Sequence, residues 1–307
     1  MSDEPVFRAE SAGKKLARNS LWINICRELR AGVVLPLDDV RFMRTAVLAG
    51  PDGGDIGYLR TVCQTQPSEI LAIDSDPVAA RECETKHPGF RVVVGDCFET
   101  IKKQPRASFD VIAMDFCSTF SESLVTKVAS LTPWIRSGGI LAVGHMYGRD
   151  APPRRKYGLR IQHKPVPGIK RRHAGATERM VYMWSGILDR APCSDGVVPL
   201  FGLSYHSRTD ARGTGSPMAW TVMRVMRLSK KILMGKARHG WADFGHYEIL
   251  SGREAEQNLR ELVSDEPWSR DSADFLAAAF SVPKGKIGAW RAVNTRTRRR
   301  PPAEAAK

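Results

Sequence analysis

Four short apolar runs between residues 45 and 116 are each followed by a glycine or an acid. The runs cover residues 46–49, 70–73, 91–95 and 111–114, and they lead into Gly50, Asp74, Asp96 and Asp115. Because the runs are rich in β-branched residues and alternate little with polar ones, they predict strands buried on both faces. Such strands form a parallel sheet covered by helices, whose ligands bind beyond the carboxyl ends of the strands. The acids are therefore expected at a ligand-binding edge.

Helical patterns alternate with these runs. Residues 14–30 carry apolar side chains at partly helical spacing, and two further helices are predicted at 58–63 and 121–131. Asp76 followed by a proline is typical of a helix start, with Asp76 as the cap. With a fifth strand at 140–144, the alternation predicts an α/β fold with a doubly wound, mostly parallel, Rossmann-like sheet.

The pattern changes after residue 150. A helix is predicted at 178–188, followed by strands at 197–205 and 219–225 that would end the sheet as an antiparallel hairpin. We therefore expect an N-terminal helical segment at 1–44, an α/β domain at 45–250 with an insertion at 151–177, a helical segment at 251–295 and a basic disordered tail at 296–307.

The composition shows a chain that is basic and has enough hydrophobic residues to fold. The chain has 307 residues, of which 42% are hydrophobic, so it can form a genuine core. Its formal net charge of +14 favours contact with polyanions. A basic surface with no specialised partner is the alternative.

The six cysteines form no CxxC pair and have no metal-ligand spacing with histidine. They predict reduced thiols in a cytosolic protein without a structural metal. The first twenty residues lack the apolar core of a secretion signal, and no apolar run is long enough to span a bilayer. We therefore expect a cytoplasmic protein that does not contact membranes.

The loop after the first run predicts an adenosine-containing cofactor. Its glycines would let the backbone approach a ligand, and an acid about twenty residues later, Asp74, could accept hydrogen bonds from ribose hydroxyls. This arrangement fits a nicotinamide dinucleotide or S-adenosylmethionine. Asp52 and Asp55 flank Gly53 and Gly54, where they would repel a pyrophosphate by about 3 kcal/mol at 5 Å and attract a sulfonium. The same carboxylates could instead cap or favour the start of the following helix.

Through these features, the segment 45–227 resembles the class I S-adenosylmethionine-dependent methyltransferases. The resemblance implies that Gly50, Gly53 and Gly54 line the methionine end of the cofactor. It also implies that Asp74 binds ribose and that Asp96 and the Cys97 backbone contact adenine, so the predicted cofactor site comprises Gly50, Asp52, Gly53, Gly54, Asp74, Ser75, Asp96 and Cys97. The chain departs from the family where the usual acid near Ala49 is absent and where Pro51 interrupts the glycines.

The predicted catalytic residues are Asp115 and Phe116. Methyltransferases that act on amino groups of nucleic acid usually have Asp or Asn, two prolines and an aromatic residue here, and this chain has only the acid and the aromatic residue. Asp115 would orient the acceptor and Phe116 would stack on a base. Alternatively, Asp115 caps the next turn and Phe116 packs in the core. A covalent role for Cys117 or Cys193 is the less favoured hypothesis, because free cysteines are often simply buried.

Basic segments follow the predicted sheet. Residues 151–177 contain no acid and would lie at the same edge as Asp115, where their cations could bind phosphates: Arg154, Arg155, Lys156, Arg160, Lys164, Lys170, Arg171 and Arg172. Residues 274–293 resemble a helix-turn-helix in which Lys284 and Lys286 begin the second helix. A solvated loop and an ordinary helical hairpin are the respective alternatives.

Together these features predict an S-adenosylmethionine-dependent methyltransferase that acts on nucleic acid. A nucleic-acid-binding protein that kept the fold and lost the activity is one alternative, and a small-molecule methyltransferase is another. The sequence leaves open the choice of DNA or RNA, the methylated atom and the oligomeric state.

Overall fold

The computed structural model describes residues 12–30, 40–119, 121–146, 174–192, 194–206, 217–227 and 245–248. These residues all belong to one compact unit within Met1–Ile249. The predictions for the basic insertion at 151–177, the helix-turn-helix at 274–293 and the tail at 296–307 lie outside the described residues.

Six α-helices lie in the described part of the chain. They are α1 (Ala12–Arg30), α2 (Gly54–Thr61), α3 (Pro77–Lys86), α4 (Cys97–Lys102), α5 (Glu122–Ala129) and α6 (Ala174–Arg190). Single 3-10 turns lie at Val40–Phe42, Pro67–Glu69 and Thr132–Trp134.

Eight strands lie in the same described residues and form one sheet. They are β1 (Thr45–Leu48), β2 (Ile70–Asp74), β3 (Val92–Val94), β4 (Phe109–Thr119), β5 (Ile135–Met146), β6 (Gly196–His206), β7 (Pro217–Met226) and β8 (Gly245–Glu248).

The sheet has the strand order β3-β2-β1-β4-β5-β7-β6-β8. Strands β1 to β5 pair in parallel, and β7 lies antiparallel between β5 and β6. The short strand β8 pairs in parallel with β6. The predicted doubly wound, mostly parallel Rossmann-like sheet with a terminal antiparallel hairpin is therefore confirmed.

Helices cover both faces of the sheet. On β7, Met223 and Val225 belong to one buried cluster with α6 residues such as Trp184, whereas Arg224 between them bonds Glu28 of α1. Because neighbouring strand residues point to opposite faces, α1 and α6 lie on opposite sides of the sheet. Three of the four predicted runs are buried, and Val47, Ala72, Ile112 and Leu141 have no exposed surface. The prediction is wrong for the third run, because β3 is the edge strand of the sheet and its Val93 and Val94 are 42% and 52% exposed.

Local capping explains several helix starts. Asp76 accepts a hydrogen bond from the Val78 amide at 2.8 Å, with Pro77 as the first helical residue, so the predicted start of α3 is confirmed. Ser121 caps α5 in the same way, through the Leu124 amide at 3.1 Å. Side-chain oxygens here satisfy amides that the first turn of a helix leaves unpaired.

Strands β4 and β5 are longer than the sequence predicts. The fourth apolar run covers 111–114, and the resemblance places the fourth strand at Phe109 to Asp115, so the start of β4 at Phe109 is as expected. There the buried carboxylate of Asp110 accepts a hydrogen bond from the Arg44 amide at 2.7 Å and pairs with Arg136. At its other end β4 continues past Asp115, which pairs with Gly144 of β5. The expectation that the fourth strand ends at Asp115 is therefore wrong.

Candidate functional site

Asp74 joins the loop after β1 to the end of β2. Its carboxylate accepts hydrogen bonds from the amides of Gly50 and Asp76, each at 2.9 Å. The side chain is half-buried, and a carboxylate has about four acceptor positions, so two amides do not saturate it. Asp74 lies where the predicted ribose contact requires it, and that contact stays a prediction.

The glycine loop has two residues in the left-handed region. Gly50 has φ +59° and Gly53 has φ +55°, a conformation that favours glycine. A Cβ atom built at Gly50 would meet no atom within 4 Å, whereas one at Gly53 would lie 2.5 Å from the His87 ring. Gly50 thus borders open space beside Asp74, and Gly53 is closed by packing.

The carboxylate of Asp55 turns away from this loop, toward α1. It is 6% exposed and accepts a hydrogen bond from the Trp22 indole at 2.7 Å. It also pairs with Arg18 Nε at 3.1 Å, and the Arg18 guanidinium lies so close to Gly54 that a Cβ atom there would collide with it. Asp55 is a buried structural acid at the start of α2.

Asp52 is also neutralised by the protein. Lys86 Nζ lies 2.6 Å from its Oδ1 atom, and His87 Nε2 lies 3.1 Å from its carbonyl oxygen. The expected attraction of a sulfonium by Asp52 and Asp55 is therefore corrected, because each carboxylate has a cation of its own. Neither of them caps α2, whose N-cap is Gly53 without a side-chain hydrogen bond. The cofactor contact predicted for Asp52 stays a prediction.

The ends of β2 and β3 bring three further predicted residues together. The Gly95 amide bonds the Asp74 carbonyl at 2.8 Å, which places Asp96 and Cys97 beside Asp74 and Ser75. The exposed Asp96 caps α4 through the Glu99 amide at 3.0 Å. Burial, and then the charge of Asp96, raise the pKa of the half-buried Cys97 thiol to about 11. Their adenine contacts stay predictions.

Asp115 of β4 lies at the carboxyl edge of the sheet, and its two carboxylate oxygens have different surroundings. Its side chain is 8% exposed, and Lys14 Nζ of α1 lies 2.9 Å from Oδ2. The other oxygen, Oδ1, is buried and has no hydrogen-bond partner within the described residues. A Cβ atom at Gly144 would lie 2.8 Å from Oδ1 and 3.0 Å from the Trp220 ring, so the glycine makes room for both. The alternative that Asp115 caps a turn is wrong.

Phe116 packs against the core, which is the alternative to a base-stacking role given in the sequence analysis. Its half-buried ring lies against the core and stacks on Phe98, with ring centroids 5.7 Å apart and planes at 6°. One ring face is thus covered by the protein, and stacking of a base on the ring stays a prediction.

Several predicted residues cannot be placed. The side chains of Cys117 and Cys193, all the cations predicted between Arg154 and Arg172, and Lys284 and Lys286 lie outside the described residues.

Sequence reasoning missed the contribution of α1. Lys14, Arg18 and Trp22 follow one another at i, i+4 spacing, so they lie on one face of the helix. Lys14 pairs with Asp115, Arg18 pairs with Asp55 and lies against Gly54, and Trp22 donates a hydrogen bond to Asp55. The signal in the sequence that could have indicated this contribution is the i, i+4 spacing of two basic residues and a tryptophan ahead of the first strand.

Comparison with known proteins gives only distant structural similarity. No protein-family model matches the chain, and a search of curated proteins finds no match. Among solved structures, a probable spermidine synthase from Corynebacterium glutamicum aligns with 78% of this chain and 82% of its own, at 12% identity and a TM-score of 0.42. The sugar N-methyltransferase KedS8 from Streptoalloteichus sp. aligns with 47% of this chain and 58% of its own, at 16% identity and a TM-score of 0.31.

A third similar structure is the 16S rRNA N2 G1207 methyltransferase RsmC of T. thermophilus in complex with AdoMet and guanosine. It aligns with 67% of this chain and 40% of its own, at 10% identity and a TM-score of 0.31. The fold assignment therefore stands on the strand order itself. Among the described helices, none is long and apolar enough to cross a membrane.

Proposed function

We propose that this protein is an S-adenosylmethionine-dependent methyltransferase whose acceptor is nucleic acid. The observation that carries the proposal is the open space at Gly50 beside the half-buried Asp74 carboxylate, at the carboxyl edge of a parallel sheet. In such sheets this edge is where ligands bind.

The residues around Gly50 fit the cofactor. Asp74 would accept hydrogen bonds from ribose, Asp96 and the Cys97 backbone would contact adenine, and the glycine loop would receive the methionine part. Arg18 lies against Gly54 at the end of this loop, where its charge is paired with the buried Asp55. The loop therefore offers the cofactor backbone groups and no free side-chain charge from Arg18 or Asp55.

S-adenosylmethionine supplies an already activated methyl group, so the protein has mainly to align the acceptor. Asp115 suits that task, since Lys14 holds Oδ2 and the buried Oδ1 lacks a donor among the described residues. A buried carboxylate oxygen without a partner is costly. An N–H or O–H group of the acceptor would satisfy it and be oriented by it.

Nucleic acid is the acceptor that the charge favours. The net charge of +14 attracts polyanions, and the acid-free residues 151–177 follow β5, which pairs with Asp115 through Gly144, two residues before its carboxyl end. Several phosphate contacts from this segment would make binding strongly salt-dependent.

Calorimetric titration with S-adenosylmethionine tests the cofactor assignment. We expect Asp74→Ala to weaken binding about 10- to 100-fold, because one or more charge-assisted hydrogen bonds are lost. Asp76→Ala is the matched control: it removes the same charge two residues away and costs a helix cap, but leaves Asp74 in place. Absence of binding by the folded wild type, or equal losses in both variants, would refute the assignment.

Binding of single-stranded RNA and duplex DNA oligonucleotides, measured over a range of salt concentrations, tests the acceptor class. Replacing Arg154, Arg155, Lys170, Arg171 and Arg172 with glutamine should weaken binding and lower the salt slope by about 0.7–0.9 for each phosphate that the protein no longer neutralises. The control carries the same change of charge at five exposed cations of the described fold: Arg81, Arg91, Lys102, Lys103 and Arg106. If both variants show the same decrease in slope, the insertion is not the binding segment.

A further inference from the structure

The sulfur atoms of Cys26 and Cys63 lie 3.6 Å apart. Cys26 is in α1 and is 3% exposed, and Cys63 follows the end of α2 and is 2% exposed. A disulfide has an S–S distance of about 2.05 Å, so the two thiols need to approach by only about 1.5 Å. The sequence shows no CxxC pair, and only the packing of α1 on α2 brings these two cysteines together.

A buried hydroxyl and one basic residue act electrostatically on the pair. The Tyr58 hydroxyl is buried and has no hydrogen-bond partner within the described part of the chain. Burial, followed by the charges of Cys63 and Cys26, raises the pKa of Tyr58, so its hydroxyl stays protonated and able to donate. Arg30, one turn after Cys26, adds a positive charge. A thiolate formed here would be stabilised by the positive charge of Arg30.

We propose that Cys26 and Cys63 are a disulfide-forming pair, and that their oxidation by a peroxide joins α1 covalently to the end of α2. The proposal does not depend on the methyltransferase assignment.

The chemistry needs one peroxide for each pair. The Cys26 thiolate attacks one peroxide oxygen, the O–O bond breaks, and a sulfenic acid and one water form after proton uptake. The Cys63 thiolate then attacks the Cys26 sulfur and expels the hydroxide as a second water. In sum, two thiols are oxidised to a disulfide and hydrogen peroxide is reduced to two waters.

The two thiols share one hydrogen bond in which either sulfur can donate. The charge of Arg30 acts to lower the pKa of both thiols, against their burial. The reverse order, with Cys63 reacting first, therefore gives the same disulfide.

The disulfide would act on the candidate site through α1. Cys26 continues the i, i+4 face that carries Lys14, Arg18 and Trp22, and α2 begins at the glycine loop. A covalent bond at Cys26 would hold this face of α1 against α2, and with it the two cations at the sheet edge.

Peptide mapping of the full-length, folded protein before and after hydrogen peroxide treatment tests the proposal. We expect a Cys26–Cys63 cross-link, a loss of two free thiols per chain, and a midpoint of thermal unfolding raised by about 5 °C or more, all reversed by dithiothreitol. Cys97→Ser, which removes another thiol, should keep the cross-link, and Cys26→Ser and Cys63→Ala should abolish it.

The wild-type map is decisive even if a variant fails to fold. A treated, folded protein without the Cys26–Cys63 peptide would overturn the proposal. So would a cross-link that forms only when the same oxidation is carried out in urea, since the pairing would then not come from the native packing.

Discussion

The carboxylates along the sheet edge differ in what neutralises them. Asp55 is buried against Trp22 and Arg18, and Asp52 pairs with Lys86. Asp115 keeps one buried oxygen without a partner in the described residues. All three follow apolar runs or glycines in the sequence, so their positions alone do not distinguish them. What distinguishes these acids is their partners, which lie more than thirty residues away along the chain.

His145 of β5 is a buried residue whose titration changes the stability of the fold. It has no exposed surface, and burial, together with the charge of Arg179 and against that of Asp115, lowers its pKa to about 4. In the unfolded chain its pKa is near the ordinary value of about 6.5. Between pH 4 and 6.5 the unfolded state therefore binds more protons, and the folded state loses stability as the pH falls.

We expect His145→Gln to remove this part of the pH dependence. The wild type should lose up to about 3 kcal/mol of unfolding free energy through His145 between pH 6.5 and 4, since a shift of one pKa unit corresponds to about 1.4 kcal/mol. The variant should show a correspondingly smaller loss, whatever its stability at pH 7. Urea unfolding at a series of pH values measures this. An unchanged slope in a folded variant would contradict the assignment.

At the scale of elements, α1 is the least expected part of the site. The sequence predicts it as a helix packed before the sheet, and α1 indeed contacts α2, β5 and β6. Its i, i+4 face also supplies the cations for Asp115 and Asp55. The helix is therefore part of the site edge as well as part of the core.

The hydrogen bond from Trp22 to Asp55 joins α1 to α2, and replacing Trp22 tests how much this bond stabilises the fold. Trp22→Phe removes the indole N–H that bonds the buried Asp55 carboxylate, and we expect a loss of about 2 kcal/mol of unfolding free energy beyond the lost packing. Trp184→Phe is the matched control, because Trp184 is also buried but donates to a neutral carbonyl, that of Val197, at 2.8 Å. There the hydrogen bond should contribute about 1 kcal/mol.

Chemical denaturation of both variants gives the comparison. The two substitutions remove the same volume from buried positions, so the difference between their losses reports the charge of the acceptor. Equal losses would mean that the Trp22–Asp55 bond does not anchor α1.

At the scale of the whole molecule, the order of strands brings the site together. Because β1 lies between β2 and β4, the ends of the predicted strands meet at one edge, where Gly50, Asp74 and Asp96 are neighbours. Asp115 lies at the same edge on β4, with Gly144 of β5 beside it. In the sequence, the acid-free residues 151–177 follow β5, which is why the proposed phosphate contacts are assigned to this edge.

The sequence by itself determined seven of the eight described strands, the fold class and the edge at which the acids lie. Continuous β-branched runs are typical of buried strands, and the Asp76 cap is a local interaction between neighbouring residues, so both can be recognised without the fold. The tertiary structure alone decided the short strand β8, the far end of β4 and the ends of β5, because strand ends depend on pairing with neighbouring strands. It also decided which carboxylates are neutralised and that Cys26 meets Cys63, since those contacts join segments far apart in the chain. The glycine loop after β1 is thus predictable as a loop, but its charge is set by α1 and α3.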